Sequence, residues 1–134
     1  MLADCSPSTP TMKLLTPRSI GAPKAAETIL LARDIALARL TGARYHAAQL
    51  SCAESLALIA AAKDEGLAVS CAVSAHHLAL NETDIGMYRT FLKVRPPLRT
   101  EDDRRALAAG LADGVVDIVV SSHQPQAPED KRRP

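Results

Sequence analysis

The sequence predicts an α/β fold, read as part of a (β/α)8 barrel covering roughly its last three βα units. Segments of helical period alternate with short apolar, β-branched runs, an order that implies right-handed βαβ units and a parallel sheet. Near the C-terminus, Val115-Val116-Asp117-Ile118-Val119-Val120 stops abruptly at Ser121-Ser122-His123-Gln124-Pro125-Gln126. That is the pattern of a buried parallel strand delivering polar side chains to a site at its C-terminal end. Strands this apolar need neighbours on both edges and helices on both faces, and the chain supplies helices without closing strands.

Residues 1–20 hold Pro7, Pro10 and Pro17 among serines and threonines, and read as an irregular or disordered leader. They carry no long apolar stretch of the signal-peptide or membrane-span kind. From Pro23, suited to a first helical turn, a helix is expected over 24–40. Its apolar face would be Ala26, Ile29, Leu30, Ile35, Leu37 and Leu40, with Arg33 and Arg39 wet, and Thr41-Gly42 would end it. A short strand follows over 44–50. Ser51 with Glu54 three residues on has the form of a capping box, opening a helix over 52–65. Leu56, Ile59 and Ala60 give that helix an apolar face with Lys63 at its wet edge, and Gly66 closes it. A second strand is expected over 67–74, then His76-His77, a loop, and an irregular stretch over 84–91. Residues 92–99 are extended because residues before proline avoid the helical region. Thr100 with Asp103 caps a helix to about Leu111, and Gly110 and Gly114 are read as turn punctuation before the last strand. No internal repeat is present.

One small domain is what 134 residues allow. Of these, 47% are hydrophobic, but many are alanine and only Tyr45, Tyr88 and Phe91 are aromatic, so the core is thin. The net charge of +1 gives no bias towards nucleic acid, and the basic tail Lys131-Arg132-Arg133 beside Glu129 and Asp130 reads as a solvated loop. Nothing points to a membrane. Cys5, Cys52 and Cys71 lack metal-ligand spacing, and the latter two are expected to be buried free thiols. A reducing, cytoplasmic compartment fits. No phosphate-cradling glycine motif is present.

Several blocks, in order and correctly spaced from about Gly21 to Pro134, resemble the dihydroorotases, a family of metal-dependent cyclic amidohydrolases. Pro23-Lys24-Ala25-Ala26-Glu27, then Ala32-Arg33-Asp34, is similar to that family's Pro-x-x-Ala-Glu and Ala-Arg-Asp. Tyr45-His46-Ala47-Ala48-Gln49-Leu50-Ser51 resembles its Tyr-His-x-x-His-Val-Ser. His76-His77 matches a Pro-His-His segment. The run Lys93-Val94-Arg95-Pro96-Pro97-Leu98-Arg99 looks like Lys-Val-Asn-Pro-Pro-Leu-Arg, and the segment from Ser121 looks like Ser-Asp-His-Ala-Pro-His.

The resemblance implies a barrel whose catalytic members hold two zinc ions at the mouth. There a bridging hydroxide attacks a cyclic amide and an eighth-strand Asp manages protons. Two of the ligand positions fall in this chain. The sixth-strand His is Gln49 and the eighth-strand Asp is Ser122. An amide is a poor zinc ligand beside imidazole or carboxylate, and a serine is no general base at neutral pH. No metal ligand, no catalytic residue and no cofactor is therefore expected in this chain. The substrate-binding positions are changed too: Arg95 replaces Asn and Gln126 replaces His, while His123 remains. Arg95 is read as an anion-binding group or one half of a local salt bridge, and His123 as a ligand contact or a structural histidine. His76 and His77 are read as structural or hydrogen-bonding groups, and His46 as facing the core or the helices.

The pattern is most similar to the non-catalytic dihydroorotase-like branch, whose members assemble with aspartate carbamoyltransferase and support it in pyrimidine biosynthesis. Two other readings stay open. One is part of an active zinc dihydroorotase; the other is a truncated chain with no independent function.

Overall fold

The computed structural model describes residues 23–132 except Tyr88. The expected leader, Cys5 and Arg133 of the basic tail lie outside the described residues. The element order is helix α1 (Lys24–Thr41), strand β1 (Tyr45–Leu50), helix α2 (Ala53–Asp64), strand β2 (Val69–Ser74), short helix α3 (Ala75–Ala79), 3-10 turns Glu82–Ile85 and Thr90–Leu92, helix α4 (Glu101–Ala112), strand β3 (Ile118–Val120) and a final helical turn α5 (Pro128–Arg132). The three strands form one parallel sheet in the order β1-β2-β3. This is the expected α/β architecture, comprising part of a barrel.

The core lies between the sheet and α1, α2 and α4. Leu31 and Ile35 of α1, Ile59 and Ala62 of α2 and Leu107 of α4 pack on Ala47, Leu50, Val69, Cys71 and Val73. In register, Tyr45↔Val69 and Ala47↔Cys71 face the helices. His46↔Ser70 therefore lies on the opposite face, because strand side chains alternate. His46 is exposed there, its Nδ1 2.7 Å from Ser70 Oγ. The expectation of a core- or helix-facing His46 is corrected by that register.

Several helical expectations change for similar reasons. Pro23 sits at the N-cap of α1, one residue ahead of the helix, and Gly42 closes it at φ 69°. The stripe assigned to the α1 core is largely exposed: Ile29 67%, Leu30 52%, Leu37 52%, Leu40 82%. The buried face is Leu31, Ile35 and Ala38, on the opposite side of the helix. An alanine-rich helix with apolar residues on two sides leaves the choice of inner face to its neighbours. Ser51 does not cap α2; the N-cap is Cys52, without a side-chain bond. The Ala53 amide is instead satisfied by Asp103 Oδ1 at 3.0 Å, a carboxylate from another helix. Thr100 and Asp103 do form the expected capping box on α4.

Gly110 is inside α4 and is not a turn residue. A Cβ there would meet Leu56 Cδ2 at 2.5 Å, so the glycine lets α4 approach α2. Gly110→Val is expected to destabilise by about 2 kcal/mol through overpacking and β-branching, read as a lower urea midpoint with unchanged slope. A variant as stable as the parent would mean that Leu56 moves aside freely.

The last strand is shorter and wetter than expected. β3 spans three residues, and Ile118 and Val119 are 47% and 45% exposed. Only Val116, ahead of it, is buried. Among the described residues β3 is an edge strand, paired on one side alone. Cys52 and Cys71 are buried free thiols, as expected. Within the tail, expected to be a solvated loop, residues 131 and 132 lie in α5, and Lys131 Nζ donates to the Phe91 carbonyl at 2.9 Å. No helix is long and apolar enough to cross a membrane among the described residues.

Candidate functional site

Gln49 and Ser122, far apart in sequence, meet at the C-terminal ends of β1 and β3. Gln49 Nε2 donates to Ser122 Oγ at 3.1 Å. Local backbone features position both. The β1–β2 register slips between Ala47 and Leu50, where β1 spends three residues against two in β2. Gln49 lies in that bulge, a device that re-aims side chains near sites. Ser122 sits at φ 50°, in the left-handed region, which costs a non-glycine residue on the order of 1 kcal/mol.

The pair does not suit a metal ion. Among the described residues no group of three or more His, Cys, Asp and Glu is placed to hold one. An amide and an alcohol bonded to each other bring no anionic or imidazole donor. Arg95, His123 and Gln126 are all exposed. The local salt bridge expected for Arg95 is absent among the described ion pairs. Gln126 lines a shallow open depression with Thr90, Phe91, Pro125, Pro128 and Lys131.

Beneath the mouth lies a polar network that the sequence reading missed. Glu27 accepts from the Ser51 amide at 3.0 Å and from the Ser51 hydroxyl, and Arg99 Nε donates to Ser51 Oγ at 3.0 Å. A second cluster centres on Asp103, 1% exposed, which receives Lys24 Nζ at 2.8 Å, Thr100 Oγ1 at 2.6 Å and the Ala53 amide. Burial pushes the Asp103 carboxyl towards protonation, but these donors prevail and hold it below the usual range. His77, 3% exposed, ties the end of β2 to the following loop. Its Nε2 donates to the Pro96 and Pro97 carbonyls at 3.1 and 3.3 Å, so Nδ1 accepts from the Ser74 hydroxyl at 2.7 Å. Burial lowers its pKa, against the pull of the two carbonyls, and the ring is neutral. The hydrogen-bonding role expected for His77 is what the geometry has. Glu27, Ser51 and Arg99 each belong to a different block of the family pattern, and that was the available signal. Burial raises the Cys52 and Cys71 thiols, so neither is primed as a nucleophile.

No protein-family model matches the chain. Over 111 residues it is 48% identical to a dihydroorotase of Carboxydothermus hydrogenoformans, covering 83% of this chain and 26% of that protein. The dihydropyrimidinase from Brevibacillus agri superposes with a TM-score of 0.75 at 28% identity, over 79% of this chain and 24% of that one. The inactive dihydroorotase-like domain of the Chaetomium thermophilum CAD-like multifunctional protein superposes at 0.56 and 27% identity, over 68% and 24% of the two chains. The chain thus spans about a quarter of the length of the relatives it matches.

Proposed function

From the chain's membership of the dihydroorotase-like cyclic amidohydrolases, of which it matches about a quarter of the length, we propose that it is a non-catalytic member. Its role is to support aspartate carbamoyltransferase in pyrimidine biosynthesis. The observation that carries this reading is the Gln49–Ser122 hydrogen bond, an amide and an alcohol satisfying each other at two positions where the family pattern has His and Asp. Neither group would grip zinc or shuttle a proton at neutral pH. Arg95, His123 and Gln126 mark altered substrate-binding positions at the same mouth.

Zinc analysis and dihydroorotate hydrolysis by the natural full-length product test the loss of catalysis. The expected result is no stoichiometric zinc and no turnover above background. Co-purification with aspartate carbamoyltransferase tests the supporting role, and independent migration of the two would overturn it. One observation favours a second reading, part of an active zinc dihydroorotase: the 48% identity to a protein of that name. Bound zinc together with turnover would select it.

A further inference from the structure

We propose that His77 is a proton-operated clasp on the backbone of residues 94–98, holding that stretch while its ring is neutral and freeing it when the ring takes up a proton. The proposal concerns local opening within the folded chain and stands whether or not the chain is catalytic.

Residues 94–98 join the second 3-10 turn to the cap of α4 without regular secondary structure. Pro96 and Pro97 have no N–H to donate. Among the described residues, the hydrogen bonds made by the backbone of 94–98 are the two from His77 Nε2, to the Pro96 carbonyl at 3.1 Å and the Pro97 carbonyl at 3.3 Å. The stretch is otherwise held by an apolar contact, the burial of Leu98. It is therefore fastened at its middle by one titratable side chain. A segment with so few backbone bonds opens at a lower free energy than the whole chain unfolds.

The clasp fits one protonation state. With Nε2–H on the carbonyls, Nδ1 accepts from the Ser74 hydroxyl at 2.7 Å, and Ser74 Oγ also accepts from the His77 amide at 3.4 Å. Ser74 is fully buried, and among the described residues its hydroxyl has no other acceptor. A proton added at Nδ1 would point at that O–H, donor against donor. The prolyl carbonyls and the Glu27 carboxylate of α1 favour the charged ring; burial and the neighbouring His76 oppose it, and burial prevails. From β2 the one titratable side chain is the Cys71 thiol. Arg104 of α4 reaches the adjacent Leu78 carbonyl at 3.0 Å, but it is paired with Glu101 at 2.6 Å. At the ends of the stretch, Arg99 is turned to Ser51 and Lys93 is exposed. A charged ring is thus relieved by leaving its pocket for water, and the backbone bonds of 94–98 are displaced with it. Arg95 lies in this stretch and moves with it.

The test is nuclear magnetic resonance of the isotopically labelled full chain from pH 7.5 to pH 5. The His77 ring signals should titrate below the ordinary 6.5. In step with them, backbone order parameters at Val94, Arg95 and Leu98 should fall from about 0.85 to below about 0.6, while Cys71 and Val73 in β2 stay rigid. His77→Gln keeps a donor for the carbonyls and has no titrating ring, so its order parameters should be flat across the range. Ser74→Ala withdraws the hydroxyl that bonds the neutral ring and should move the opening of 94–98 to higher pH by roughly half a unit or more. A ring that titrates while 94–98 stays rigid would overturn the proposal. So would loss of order in β2 at the same pH, the same loss at 94–98 in His77→Gln, or an opening that Ser74→Ala leaves in place.

Discussion

Replacing Asp103 with alanine is expected to lower stability by about 3 kcal/mol. The side chain serves three elements at once. It completes the α4 capping box with Thr100, satisfies the first amide of α2 at Ala53, and pairs with Lys24 at the start of α1. Each lost cap accounts for about 1 kcal/mol. Lys24 is about one-third exposed, so its share is discounted for solvent screening. Against a typical stability of about 5–15 kcal/mol, such a loss is a large fraction. Asp103→Asn keeps an acceptor and should cost appreciably less. Urea midpoints for the two variants decide the matter; equal and small losses would mean that the three helix N-termini hold without this carboxylate. Because the folded carboxyl titrates below its unfolded value, its contribution is present above the unfolded pKa and fades as pH falls through the folded one.

A second large effect is expected at His77. His77→Phe keeps an aromatic ring but removes the imidazole partner of the Ser74 hydroxyl and of the Pro96 and Pro97 carbonyls, at a cost of about 3 kcal/mol. The parent should also show a pH dependence that the variant lacks. Folding lowers the pKa of His77, so the unfolded chain binds more protons in the window below about 6.5. Stability from this residue is complete above that value and declines as pH falls towards the folded pKa. Urea unfolding from pH 7.5 down to pH 5 measures it. A flat parent profile, or an identical slope in the variant, would refute a neutral His77 latch. The window is distinct from that of Asp103, which lies at more acid pH.

The resemblance and the structure agree most closely where local signals are strong. Thr100 and Asp103 announced their capping box because both partners are three residues apart in sequence. Gly42 announced the end of α1 because a left-handed closing residue favours glycine. Ser51 and Glu54 had the same local form and did not become a cap. Glu27 and Arg99 claim Ser51, and Asp103 claims the amide that Ser51 would have served. Those competitors are remote in sequence, so nothing within a window of four residues could reveal them.

By itself the sequence determined the alternation of helix and strand, the parallel sheet and the identity of the residues at the mouth. Periodicity and backbone preference are local properties, and the family pattern names positions directly. Tertiary structure decided which side of α1 turned inward, which face His46 took, how little of β3 is covered, and that Gln49 and Ser122 bond to each other. Each of these depends on a neighbour that is distant along the chain, and the placing of Gln49 depends also on a one-residue bulge that shifts the strand period.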